Sequence, residues 1–170
     1  LFVKSPDLLR KRLENKEKEA EQKTVVAVSA LMFIGGFVVA GLDYRFGWSR
    51  VPFWLVITAS VLLLTSYGLY CEVMRENAYL SRTIEVQEGQ KVVDTGLYGI
   101  VRHPMYSASV LLFLSMPLVL GSLFSLIIFL AYPFIIIQRI QHEEAFLEKE
   151  LDGYCAYQKK VKYRMIPFLW

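Results

Sequence analysis

Two polar clusters flank the longest uncharged stretch of the chain, and their residue types are suited to binding chemistry. The first cluster contains Arg102 and His103, and the second runs from Arg139 to Glu144. Arg139 and Glu143 are four residues apart, which places them on one face of a helix. A guanidinium can orient an anion, and a carboxylate can bind amino or hydroxyl groups. The alternatives are an ordinary surface ion pair and basic residues that only set the membrane topology.

The hydropathy pattern predicts an all-α integral membrane protein. Hydrophobic residues make up 55% of the 170 positions, and the runs 24–42, 51–71 and 104–138 carry no charge. At 1.5 Å per residue, about 20 residues cross a hydrocarbon core of roughly 30 Å. The first two runs each fit one crossing. The third would be roughly 52 Å long as one helix, so we expect a hairpin of helices 105–120 and 122–139. Its turn is expected near Pro117 and Gly121-Ser122. The three runs together therefore predict at least four transmembrane helices.

The distribution of basic residues predicts the orientation of these helices. Of the 19 Lys and Arg residues, all except Arg45 and Arg50 fall on one side of the predicted membrane. By the positive-inside bias that side is cytoplasmic. It holds a charged N-terminal helix (1–23), a connector (72–103) with a short strand near 83–87, and a helical tail (140–170). We therefore expect one multi-pass domain (1–170), with a hairpin at 104–139 and both polar clusters at its cytoplasmic face.

Composition also bears on the partners. The net charge is only +3 and acidic residues are interspersed among the basic ones, which argues against a nucleic-acid partner. The basic flanks favour anionic membrane lipids instead. The two histidines and two cysteines lie too far apart in sequence to suggest a metal-ligand set, so no metal is expected.

The two clusters also carry a family resemblance, which covers roughly residues 50–170. The segments 96–106 and 139–144, together with 154–157 and 164–167, resemble the isoprenylcysteine carboxyl methyltransferases and their bacterial relatives. That family is similar to the phospholipid methyltransferases. The resemblance implies S-adenosylmethionine as the methyl donor, bound at the cytoplasmic face without a Rossmann domain. The chain has no Gly-x-Gly-x-x-Gly motif, in keeping with this.

The resemblance further implies which residues form the site. Those expected to bind the cofactor are Gln87, Gln90, Lys91, Val92, Val93, Tyr98, Arg102, His103, Pro104, Met105, Tyr106, Glu143 and Glu144. Those expected to be catalytic are Arg75, Arg139 and Glu143, with the two arginines facing the methyl acceptor.

The acceptor implied by the resemblance is a lipid or prenylated compound. Carboxyl O-methylation of an isoprenylcysteine-type substrate is the leading interpretation. A phospholipid amine is the alternative, for which a carboxylate such as Glu144 is the more useful partner. A non-catalytic membrane scaffold or cofactor-binding protein is the rival from another class.

Overall fold

The computed structural model describes residues 20–81 and 85–170. The helices within these ranges are α1 (Ala20–Phe46), α2 (Phe53–Glu76), α3 (Pro104–Val119), α4 (Leu123–Phe129), α5 (Tyr132–Glu150) and α6 (Tyr154–Lys160). A 3₁₀ turn, Gly96–Gly99, precedes α3. The described residues contain no strand, which confirms the all-α class. The strand expected near 83–87 does not form over 85–87, and 82–84 lie outside the described ranges. Of the charged helix expected over 1–23, residues 1–19 also lie outside the described ranges.

Three segments of the described chain are long and apolar enough to cross a membrane. They are Val26–Phe46, Phe53–Glu76 and Leu123–Glu150. Helix α3 is apolar but has only 16 residues. The integral membrane character is thus confirmed, while a fourth full-length crossing is not. Each of the first two helices extends beyond its uncharged run, because backbone hydrogen bonds continue a helix whether or not its next side chains are charged.

The expected hairpin is present, with its turn at Gly121 and Ser122. Gly121 has a φ of 77°, a left-handed conformation that glycine adopts without steric cost. The Gly121 N–H donates to the Leu118 carbonyl and the Ser122 N–H to the Pro117 carbonyl, the pattern of a Schellman helix end. Pro117 lies inside the last turn of α3, within the expected first arm of the hairpin, and the turn itself is formed by Gly121 and Ser122.

The returning arm of the hairpin is divided into α4 and α5 instead of forming one helix over 122–139. Pro133 stands at the start of α5. Proline has no N–H to donate and its ring collides with the carbonyl four residues earlier, which disrupts the helix there. Beyond this break, α5 runs without interruption from the apolar segment to Glu150. One helix thus carries Arg139, Glu143 and Glu144.

The end of the molecule opposite the polar clusters is fastened by Asp43. This residue is only 1% exposed, and its carboxylate accepts hydrogen bonds from the N–H (2.7 Å) and Oγ (2.6 Å) of Ser49 and from Ser122 Oγ (2.5 Å). Because Asp43 belongs to α1 and Ser122 to the hairpin turn, these bonds join the first helix to the hairpin. The main apolar core lies between them and the polar clusters, and it contains Met32, Phe129, Tyr132, Ile136 and Ile140.

Candidate functional site

The first polar cluster is set at the beginning of α3. His103 occupies the N-cap position with non-helical φ and ψ, and Pro104 is the first helical residue, as expected from a proline that needs no helical N–H partner. Helix α3 then packs beside α5 as the second arm of the hairpin returns. The two clusters, separated by more than 30 residues in sequence, meet at this end of the hairpin.

Glu144 joins the two clusters. Its carboxylate is 3% exposed and accepts hydrogen bonds from Arg102 Nε at 2.7 Å and Arg164 Nε at 2.7 Å. His103 Nε2 lies 3.1 Å from the oxygen that Arg102 contacts. Both carboxylate oxygens are therefore engaged by basic side chains. This arrangement makes Glu144 an anchor of the site.

The segment 161–165 also holds the first cluster in place. Arg102 Nη1 donates to the carbonyls of Val161 (2.8 Å) and Lys162 (3.0 Å). The N–H groups of Arg102 and His103 donate to the carbonyls of Tyr163 (2.9 Å) and Arg164 (2.8 Å). Sequence reasoning did not assign Arg164 or this segment to the site. The signal available was the match of residues 164–167 to the family pattern.

Tyr106 links Arg139 and Glu143. Arg139 Nε donates to the Tyr106 hydroxyl at 2.9 Å, and that hydroxyl donates to Glu143 Oε2 at 2.6 Å. The two α5 residues do share a face, as their spacing predicted. The structure adds a phenol from α3 between them, which aligns a cation, a hydroxyl and a carboxylate.

A first cavity of about 100 Å³ opens beside this array. Of the predicted cofactor residues, those that line it are Gln90, Lys91, Val92, Val93, Tyr98, Arg102, His103, Met105, Tyr106 and Glu143. Lining residues that sequence reasoning missed are Asn77, Tyr79, Leu80, Ser81, Glu85, Leu147, Leu151, Tyr154 and Tyr157. Most of the missed residues are aromatic or apolar side chains of the connector, α5 and α6, and a single sequence offers little to separate them from ordinary core residues.

Three predicted cofactor residues are placed outside the lining of this cavity. Glu144 binds the basic side chains described above, and Pro104 is buried at the start of α3. Gln87 shapes the connector: its side-chain amide donates to the Tyr79 carbonyl (2.9 Å), and its N–H donates to Gln90 Oε1 (2.9 Å). Glu144 and Gln87 thus support the shape of the site through hydrogen bonds, and Pro104 begins the helix that carries Tyr106.

Tyrosines form one wall of the first cavity. The Tyr157 hydroxyl donates to the Tyr98 carbonyl at 2.7 Å, and Asn77 Nδ2 donates to the Tyr98 hydroxyl at 3.0 Å. Burial raises the pKa of Tyr154 and of Tyr157, and for Tyr154 the carboxylates of Glu144 and Glu143 raise the pKa further. Both hydroxyls therefore stay protonated at physiological pH and can act as hydrogen-bond donors.

A second cavity, of about 470 Å³, lies deeper among the apolar segments. Its lining residues are Val26, Ser29, Ala30, Phe33, Tyr67, Tyr70, Ser81, Met105, Tyr106, Ser109, Leu112, Phe113, Tyr132, Ile135, Ile136 and Arg139. Arg139 is the charged residue among them. Ser81, Met105 and Tyr106 line both cavities, so the two spaces adjoin at the Tyr106 side chain.

Arg75 is not brought to either cavity. Its side chain is 71% exposed and pairs with Glu72 through an Nη2–Oε1 contact of 2.5 Å within α2. A surface pair of this kind adds little to stability. The predicted catalytic residues thus separate into Arg139 and Glu143, which share the Tyr106 hydroxyl, and Arg75, which lies at the surface.

A comparison with family models agrees with this architecture. The model of the phospholipid methyltransferases matches residues 54–152, more than half of the chain. The matched range begins in α2 and ends just after α5, so it contains both polar clusters and the hairpin. A comparison with curated proteins gave no matching relative. The chain belongs to the phospholipid methyltransferase family and is an integral membrane methyltransferase.

Proposed function

We propose that the protein transfers a methyl group from S-adenosylmethionine in the first cavity to a lipid-like acceptor in the second. The observation that supports this most directly is that the two cavities adjoin at Ser81, Met105 and Tyr106. The first cavity combines charged and polar groups with apolar walls, whereas the second is mainly apolar. A water-soluble donor and a membrane-embedded acceptor require two such spaces in contact.

The groups around the first cavity suit the donor. When bound, S-adenosylmethionine supplies an electrophilic methyl group on a positively charged sulfonium. Glu143 can bind the amino or ribose hydroxyl groups of the donor, and the tyrosine wall with Val92 and Leu147 can pack against its base. The cavity is smaller than the roughly 300–1,000 Å³ of ligand pockets. Its side chains must therefore move outward when the donor binds.

Arg139 is the group we assign to orienting the acceptor. It is the charged residue of an otherwise apolar and hydroxyl-lined cavity, and Tyr106 fixes its guanidinium near the first cavity. A carboxylate acceptor is already ionised at neutral pH and needs no general base. It needs orientation, which a guanidinium supplies through paired hydrogen bonds. We therefore favour carboxyl O-methylation of an isoprenylcysteine-type compound.

Phospholipid N-methylation is the second candidate, and it is supported by the family description. Arg139 would then hold the lipid phosphate. An amine is protonated at neutral pH and has to lose a proton before it can attack. Glu143, hydrogen-bonded to the Tyr106 hydroxyl at the boundary between the cavities, is the carboxylate we assign to accepting that proton. It takes the role that the sequence suggested for Glu144, whose two oxygens are held by Arg102 and Arg164.

Methyl transfer with labelled S-adenosylmethionine tests these proposals. The purified protein in lipid nanodiscs is given farnesylated N-acetylcysteine or phosphatidylethanolamine as acceptor. Transfer to the carboxylate supports the first proposal, and transfer to the amine alone replaces it with the second. Donor binding without transfer to either acceptor would contradict both and favour the non-catalytic alternative.

Two arginine variants make the assay specific to the site. Arg139→Gln is expected to abolish transfer because it removes the orienting cation. Arg50→Gln, an exposed position between α1 and α2 at the opposite end of the molecule, is the matched control and should retain full activity. Equal activity of the two variants would rule out the assigned role of Arg139.

We further propose that both ends of the chain and the first cavity face the cytoplasm, in line with the distribution of basic residues. Labelling of Cys155, which is exposed, by a membrane-impermeant thiol reagent in sealed vesicles of known orientation tests this. Modification from the non-cytoplasmic side would overturn the orientation.

A further inference from the structure

Tyr154 carries a buried hydroxyl with no hydrogen-bond partner. It is the one such side-chain atom within residues 26–81 and 85–170. The residue is 4% exposed and lines the first cavity. A buried polar group without a partner costs free energy, and such groups are rare in folded proteins. The hydroxyl without a partner therefore indicates a ligand that accepts its hydrogen bond.

The Tyr154 ring is surrounded mainly by apolar side chains. The ring packs in a cluster with Leu151, Tyr157 and Val161, and Val92 and Leu147 contact that cluster. The rings of Tyr154 and Tyr157 lie with centroids 5.8 Å apart. Since several sides of the ring are packed, the position of the buried hydroxyl is fixed.

The protonation state of Tyr154 makes it a donor. Burial and the nearby carboxylates of Glu144 and Glu143 raise the pKa of this phenol above its ordinary value. The group that it binds must consequently offer a lone pair. A second carboxylate would be repelled by Glu143 and Glu144, so a neutral acceptor atom fits best.

We propose that the Tyr154 hydroxyl donates a hydrogen bond to a ring nitrogen of the adenine base of the methyl donor. This inference rests on the proposed function. Adenine is the part of the donor that presents two apolar faces and uncharged acceptor atoms. The walls formed by Val92, Leu147 and Leu151 match those faces. Lys91 and Glu143, which line the same cavity, can bind the charged parts of the donor.

The test compares Tyr154→Phe with Tyr157→Phe. Removing the Tyr154 hydroxyl breaks no hydrogen bond in the free protein, so thermal stability without ligand should be equal or higher. Affinity for S-adenosylhomocysteine, measured by calorimetry, should fall about three- to tenfold through loss of one hydrogen bond. Tyr157→Phe is the matched control, because it removes the bond to the Tyr98 carbonyl and should lower stability without ligand.

Analogues of the ligand identify the acceptor atom. The 1-, 3- and 7-deaza forms of S-adenosylhomocysteine each lack one ring nitrogen. The analogue that lacks the accepting nitrogen should bind the natural protein more weakly than S-adenosylhomocysteine does. To Tyr154→Phe, this analogue and S-adenosylhomocysteine should bind equally well. Unchanged affinity in Tyr154→Phe, a parallel loss of stability, or equal losses for all three analogues would overturn the inference. No binding of S-adenosylhomocysteine to the unmodified protein would instead overturn the proposed function itself.

Discussion

Substitution of Glu144 by Gln is expected to destabilise the protein strongly. The carboxylate is 3% exposed and faces Arg102, whose side chain is 8% exposed. The variant keeps the size of the side chain but removes the charge, so the Arg102 cation stays buried without its counter-ion. Breaking a buried pair in this way costs about 3–5 kcal/mol. The pair with Arg164 adds little to this estimate, because the Arg164 side chain is 35% exposed.

The corresponding shift in midpoint temperature is large enough to measure in detergent. At about 2–4 °C per kcal/mol for a chain of this length, the expected decrease is about 6–20 °C. The neighbouring Glu143→Gln is the matched control. Its amide oxygen can still accept the Tyr106 hydrogen bond, so its midpoint should stay near that of the natural protein while methyl transfer decreases. If Glu144→Gln melts at the natural temperature, or if both variants lose equal stability, Glu144 is not the anchor that its contacts indicate.

Three further substitutions address the catalytic site and the second cavity. Arg139→Lys keeps the charge but loses the guanidinium fork, so we expect methyl transfer to fall about 10–100-fold. A kcat equal to that of the natural protein in steady-state assays would contradict the orienting role. Phe113→Leu removes a ring that packs 4.8 Å from Tyr132 and 4.5 Å from Phe33, centroid to centroid, at the apolar end of the second cavity. It should lower KM for acceptors with longer apolar chains relative to shorter ones, and an unchanged ratio would count against acceptor binding there. Arg75→Ala should change kcat less than twofold, because the exposed side chain lines neither cavity; a large loss would restore its predicted catalytic role.

The connector and the hairpin show how far the sequence could be interpreted. The uncharged runs predicted the membrane segments because the hydrocarbon core requires a fixed length of apolar helix. The Gly121-Ser122 turn followed from local backbone preferences, and the division of the returning arm at Pro133 follows from the same kind of local chemistry. The short strand near 83–87 was not found over 85–87, since alternation of side chains in a brief segment is weak evidence without a partner strand.

The sequence alone determined that two polar clusters would meet at one end of a helical hairpin. Charge-free length, the central turn and the four-residue spacing of Arg139 and Glu143 were sufficient for that. The tertiary structure decided which side chains face a cavity and which hold the fold together. Glu143 and Glu144 are adjacent and identical in type, yet the 100° rotation between neighbouring helix positions directs one to Tyr106 and the other to Arg102. Which of these two faces is turned towards α3 is set by the packing of α5 against α3 and by the return of segment 161–165, both long-range contacts that local sequence does not specify.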